Sequence, residues 1–154
     1  MFLIGQSIDI HKLEYKVNTL QRLGGIEFIL NYELIAHSDG DIILHSISEA
    51  ILGALGLEDL GYYFSDKNQM NKNLNSLKIL DFSLDQMRKR NMEINNVDLM
   101  IISEHIHFAE IKSDIKKNLM ILLNTNNLSI KATRWEENKM MIQCSAIVTL
   151  KSIE

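Results

Sequence analysis

The sequence predicts an α+β domain of two layers, a single mixed β-sheet with helices packed on one face. Three observations point there. Two strand-like stretches, Met1 to Ile10 and Ile26 to Leu34, open the chain, and strands and helices alternate after them. The run Val97 to Ser103 is largely apolar without polar alternation, as expected of a strand covered on both faces. A length of 154 residues with 46% hydrophobic content suits one domain with a substantial core.

The first strand is expected over Met1 to Ile10, with Gly5 permitting a close backbone approach or a bulge. Residues 12 to 24 are mixed and polar, end in Gly24-Gly25, and read as a loop or hairpin before the second strand. A helix is expected from about Asp39, with Ile43, Ile47, Ala50, Ile51 and Ala54 at helical spacing and Gly56 as its C-terminal cap. Glu58 to Asn68 shows neither helical nor strand period and reads as a loop. Leu74, Leu77, Leu80, Leu84 and Met87 mark a second helix, whose Arg88-Lys89-Arg90 run complements the dipole at its C-terminal end. After the buried strand, Ile111 to Leu123 carries the third helix, and Leu128 to Thr133 and Met141 to Leu150 the last two strands.

A formal net charge of −4 argues against nucleic acid or an anionic membrane surface as the main partner. The apolar runs are too short to span a bilayer, and with no basic leader a cytoplasmic protein is expected. One cysteine, Cys144, allows no internal disulfide and sits in an apolar strand, where it reads as a small buried hydrophobe.

The chemistry concentrates in Ala36-His37-Ser38-Asp39-Gly40-Asp41-Ile42-Ile43-Leu44-His45, where a polar loop enters an apolar helix. Ser38 and Asp41 have the spacing of a capping box, which places His37 in the loop and His45 about two turns into the helix. Upstream, Asp9 and His11 are two apart on a strand and share a face. Asp9, His11 and His45 together give a carboxylate and two imidazoles, a set that suits zinc with its fourth position open.

These segments, with Gly53-Ala54-Leu55-Gly56 and Asp59-Leu60-Gly61, resemble the 2-C-methyl-D-erythritol 2,4-cyclodiphosphate synthase family over nearly the whole chain, most strongly in the first 66 residues. The resemblance implies a homotrimer with its sheets facing the trimer axis and its active sites at subunit boundaries. It implies release of CMP from 4-diphosphocytidyl-2-C-methyl-D-erythritol 2-phosphate, as the 2-phosphate attacks the β-phosphorus. His37, with Ser38, would steady the attacking phosphate, and Thr133 would contact phosphate by its hydroxyl. Glu136 matches the acidic residue that takes a second cation, Mg2+ or Mn2+. Asp59, Gly61, Phe64 and Asp66 match segments that contact the methylerythritol part, with Ser65 where the family has proline. The loop Ser103-Glu104-His105-Ile106-His107-Phe108-Ala109 matches the backbone-built CMP/CDP pocket. Asp39 and Asp41 are expected to support or cap the site, not to bind the metal.

Three departures bear on activity. His105 and His107 enter the cytidine loop, at a spacing open to a second metal site but more simply two exposed histidines. Arg134-Trp135 replaces a catalytic threonine and its neighbour, so that Arg134 is either a stronger phosphate clamp or an obstruction. The family's Gly-Phe-x-Gly-Arg segment after the acidic residue is missing, which predicts weak or absent binding of isoprenoid diphosphates in the trimer's central cavity. A zinc-binding trimeric homologue without this activity is the alternative reading, and a zinc hydrolase of another phosphate ester a distant third.

Overall fold

The structure, a computed structural model, describes residues 1–153. Five strands form one mixed sheet in the order β2-β1-β5-β3-β4, with β3 and β4 parallel and the other neighbours antiparallel. They are β1 (Phe2–Leu23), β2 (Ile26–Ile35), β3 (Met92–Ser103), β4 (Leu128–Thr133) and β5 (Met141–Ser152), and the helices are α1 (Ile42–Ala54), α2 (Leu60–Tyr63), α3 (Ser76–Arg88) and α4 (Lys112–Leu122).

The long first strand corrects the expected loop at residues 12 to 24. β1 runs unbroken in the sheet for 22 residues and turns at Gly24-Gly25, both at positive φ as a tight hairpin turn demands. Asn18, at φ 52°, absorbs a bulge between Tyr15 and Thr19. The stretch from Glu14 to Asn18 is exposed on both faces, which removes the alternation that would mark a strand.

α1 also starts later than expected. Asp41, not Ser38, is the N-cap, accepting from Leu44 N–H at 3.1 Å, while Ser38 Oγ accepts from Gly40 N–H in the preceding turn. Asp41 also accepts from Gly24 and Gly25 N–H at 2.9 and 2.7 Å, so one buried carboxylate joins the hairpin turn to the helix. Burial pushes its pKa up, against those three N–H groups. His45 therefore lies in the first turn, not two turns in. At the other end, Gly56 at φ 67° closes the helix as expected, with Gly56 N–H on Gly53 O and Leu57 N–H on Leu52 O.

The expected loop after α1 contains one helical turn, α2, capped by Asp59. The core lies between one sheet face and the helices: α1 contributes Ile43, Ile47 and Ile51, and the sheet contributes Leu99, Ile101, Cys144, Ala146 and Val148. Gly5 lets β1 touch α1, since a Cβ there would sit 1.8 Å from the Ala50 carbonyl oxygen. The odd residues of β1 face this core, Asp9 and His11 among them. On the opposite face Phe2, Ile4, Ile8 and Ile10 of β1 and Ile147 of β5 are exposed.

Candidate metal centre

At the end of the sheet nearest the start of α1, Asp9, His11 and His45 each turn a ligand atom inward, and the three atoms lie within 4.8 Å of one another. Among the described residues no other group of three His, Cys, Asp or Glu side chains comes as close, and His105 and His107 belong to no such group. His11 Nδ1 lies 3.2 Å from the Ile35 carbonyl, which can only accept, so that nitrogen carries a proton and Nε2 faces Asp9 Oδ2 at 3.1 Å. His45 points Nδ1 at the same oxygen, 3.7 Å away.

Burial works against charge on all three. For Asp9 it is outweighed by the hydrogen bond and charge of His11, and the carboxyl falls below its usual range. The same pairing outweighs burial at His11 and raises its pKa. At His45 burial prevails and the pKa is lowered, which favours the neutral imidazole that a cation requires. A carboxylate oxygen and two ring nitrogens, each aimed at one point, fit a divalent cation with a coordination position open toward solvent.

That opening is a cleft of about 340 Å³ lined by Asp9, His11, His37, Ser38 and His45, with Gly61, Phe64 and Asp66 beyond them. Asp59 lies just outside this lining, its carboxylate accepting Tyr62 N–H at 2.9 Å. Glu49, unexpected from the sequence, also lines the cleft; burial raises its pKa, and its carboxylate accepts Leu60 N–H at 3.4 Å. Its signal was its place four residues after His45, on the same helical face.

Of the remaining expected residues, Glu104, His105, Arg134 and Glu136 line a second cleft. Arg134 is paired with Glu104, donating from Nε at 3.1 Å and from Nη2 at 2.6 Å, and Glu136 N–H donates to the other Glu104 oxygen at 3.1 Å. This clip joins the loops that follow β3 and β4. Thr133 is exposed beside it. Ser103 Oγ accepts Ile106 N–H, Phe108 is in the core, and Ala109 is exposed. His105 is not the exposed loop histidine expected: it stacks on Tyr32 at 4.9 Å, and its Nε2 is buried without a hydrogen-bond partner among the described residues.

Both clefts open at one end of the sheet. His11 and Ser103 lie opposite Ile142 from either side, and Thr133 lies opposite Ile102. At the usual strand spacing, Thr133 is about 14 Å from β1.

The sequence profile of the YgbB family matches residues 2–151. The chain is 40% identical over 149 residues to the 2-C-methyl-D-erythritol 2,4-cyclodiphosphate synthase of Mycoplasmoides gallisepticum, covering 97% of this chain and 96% of that one. It is 43% identical over 155 residues to the synthase of the same name from Leptospira interrogans, covering 99% and 96%. A solved Plasmodium falciparum IspF–CDP complex superposes with a TM-score of 0.86 at 34% identity, covering 99% and 97%. The bifunctional IspDF of Campylobacter jejuni superposes at 0.91 and 28% identity, the chain spanning 43% of that longer one. With the cation cluster and both clefts inside the matched residues, the chain belongs to the YgbB family, among relatives named 2-C-methyl-D-erythritol 2,4-cyclodiphosphate synthase.

Proposed function

We propose that the chain is a 2-C-methyl-D-erythritol 2,4-cyclodiphosphate synthase of isoprenoid precursor biosynthesis. An oxygen of the substrate's 2-phosphate bonds to the β-phosphorus, the β-phosphorus bond to the oxygen bridging to the α-phosphate breaks, and CMP leaves. The observation that carries this reading is the convergence of Asp9, His11 and His45 beside His37 and Ser38 in one cleft, on a chain whose relatives bear that name.

Such a reaction asks a protein for positioning and charge neutralisation, because the nucleophile is already an anion. Asp9, His11 and His45 hold Zn2+, which when bound supplies Lewis-acid polarisation of the β-phosphate. Asp41 already takes Leu44 N–H at the helix start, which leaves His37 and Ser38 to meet the attacking phosphate. Gly61, Phe64 and Asp66 face the methylerythritol part. The second cleft receives the cytidine nucleotide, with Thr133 and Arg134 toward phosphate and Glu136 toward Mg2+ or Mn2+. That a Plasmodium falciparum relative was solved as a CDP complex supports a cytidine nucleotide as ligand.

A homotrimer completes this reading. Phe2, Ile4, Ile8, Ile10 and Ile147 make an apolar sheet face that a lone subunit leaves in water, and self-association would cover it. Assembly would also bring the metal cleft of one subunit to the nucleotide cleft of the next. Cytoplasmic location is part of the proposal; among the described residues no helix is long and apolar enough to cross a membrane.

The test is turnover of the diphosphocytidyl substrate by purified protein with zinc and magnesium, followed by phosphorus NMR. The cyclic diphosphate and CMP are expected, and H45A loses bound zinc and turnover together. No turnover at full zinc occupancy would overturn the proposal in favour of a non-catalytic homologue.

A further inference from the structure

His45 has a second contact on the side away from Asp9. Its Nε2 lies 2.8 Å from Ser76 Oγ, at the start of α3, and Ser76 Oγ is in close hydrogen-bond contact with Asp39 Oδ1. Ser76 is fully buried. Asp39 is anchored in turn: it accepts Ser76 N–H at 2.9 Å and Asp41 N–H at 3.2 Å, and Arg22 Nη1 lies 3.5 Å away.

The donor inventory of this chain has one solution. A carboxylate only accepts, so the single hydroxyl proton of Ser76 goes to Asp39. Ser76 Oγ then has only lone pairs to offer His45, so Nε2 carries the ring proton and Nδ1 keeps its lone pair toward Asp9 and His11. The opposite tautomer would need the Ser76 proton for Nε2, and would leave Ser76 Oγ and Asp39 Oδ1 in contact as two acceptors. Ser38 Oγ, 3.4 Å from the same nitrogen, is too distant to replace this contact.

We propose that Ser76, oriented by Asp39, is a positioning residue that fixes His45 with Nε2 protonated and Nδ1 free, so that the imidazole is preset to bind the cation. This rests on the metal reading of the cleft. It assigns a task to a residue 31 positions from His45, on a helix that contributes no ligand, and it makes α3 part of the metal centre. Such outer contacts orient a histidine ligand and raise its basicity.

The test uses the full chain and two variants, Ser76→Ala and Ser76→Thr. Ring 15N NMR of the metal-free protein reads the His45 tautomer, and competition with a chelator reads the Zn2+ dissociation constant. The wild type is expected to show Nε2–H alone. Ser76→Ala mixes the tautomers and weakens zinc binding about 10–100-fold, whereas Ser76→Thr, which keeps the hydroxyl, retains the tautomer and most of the affinity. Ser76→Ala with an unchanged tautomer and zinc affinity within about twofold of wild type would overturn the proposal, as would loss of the tautomer in Ser76→Thr. If the wild type takes up no zinc, the metal reading fails, and the metal-free NMR comparison still decides whether Ser76 sets the tautomer.

Discussion

Replacing Gly5 by alanine should damage the metal centre from a distance. The added methyl would lie 1.8 Å from Ala50 O and 2.6 Å from Ala54 N, both backbone atoms of α1, so no side chain can swing aside. Reaching ordinary contact requires the helix and strand to separate by about 1.6 Å. α1 cannot retreat as a unit, because Ser7 Oγ donates to Ser46 O and Ser46 Oγ to Cys144 O near its start. The strain therefore tilts the helix that carries His45, where metal coordination tolerates only about 0.2 Å. We expect G5A to lose about 1–3 kcal/mol of stability by overpacking, and zinc affinity to fall at least about tenfold. Gly53 is the internal control: its Cβ would meet nothing nearer than Gln6 O at 4.0 Å, and G53A should be neutral or more stable by up to about 1 kcal/mol. Urea unfolding and chelator competition on both variants decide the matter. G5A with wild-type stability and zinc affinity would refute the reasoning.

Further outcomes follow from the titrating groups. Metal-free His11 holds its Nε2 proton toward Asp9 with a raised pKa, so zinc must displace that proton. Near pH 6.5 loading should release protons to an indicator dye, and affinity should fall about tenfold per pH unit below the His11 value. The sign for the metal-free fold is opposite: the stabilisation from this raised histidine is complete below about pH 6.5 and fades as pH rises through its folded value, read by melting chelator-treated protein across pH. Burial pushes the Cys144 thiol up to about 12, so iodoacetamide at pH 8 should leave native protein unlabelled and label it only on unfolding; rapid native labelling would contradict its burial.

The sequence made some parts legible and hid others for physical reasons. The convergence of Asp9, His11 and His45 was readable because each sits in a regular element, where spacing fixes direction: Asp9 and His11 share a strand face, and His45 faces them from α1. Gly56 was readable because a helix end requires positive φ. The N-cap was misplaced because Ser38 and Asp41 both suit the role, and only Gly24 and Gly25, from another turn, select Asp41. The second half of β1 was hidden because Glu14 to Asn18 is exposed on both faces and interrupts the alternation that Leu13, Thr19, Gln21 and Leu23 would otherwise continue. Ser76 carried no signal at all, since only the packing of α3 beside α1 brings it to His45.

The clip of Arg134 and Glu104 lies on the far side of the sheet's end from His11 and His45. In the proposed trimer each reaction centre is therefore a joint product of two polypeptides, with neither owning it. A chain lacking His45 could still lend its nucleotide cleft to a neighbour, and a chain lacking Glu136 could still lend its histidines. Two individually dead alleles expressed together in equal amounts would regenerate about one quarter of the sites, so in such a trimer a damaged copy would be partly rescued by a differently damaged one.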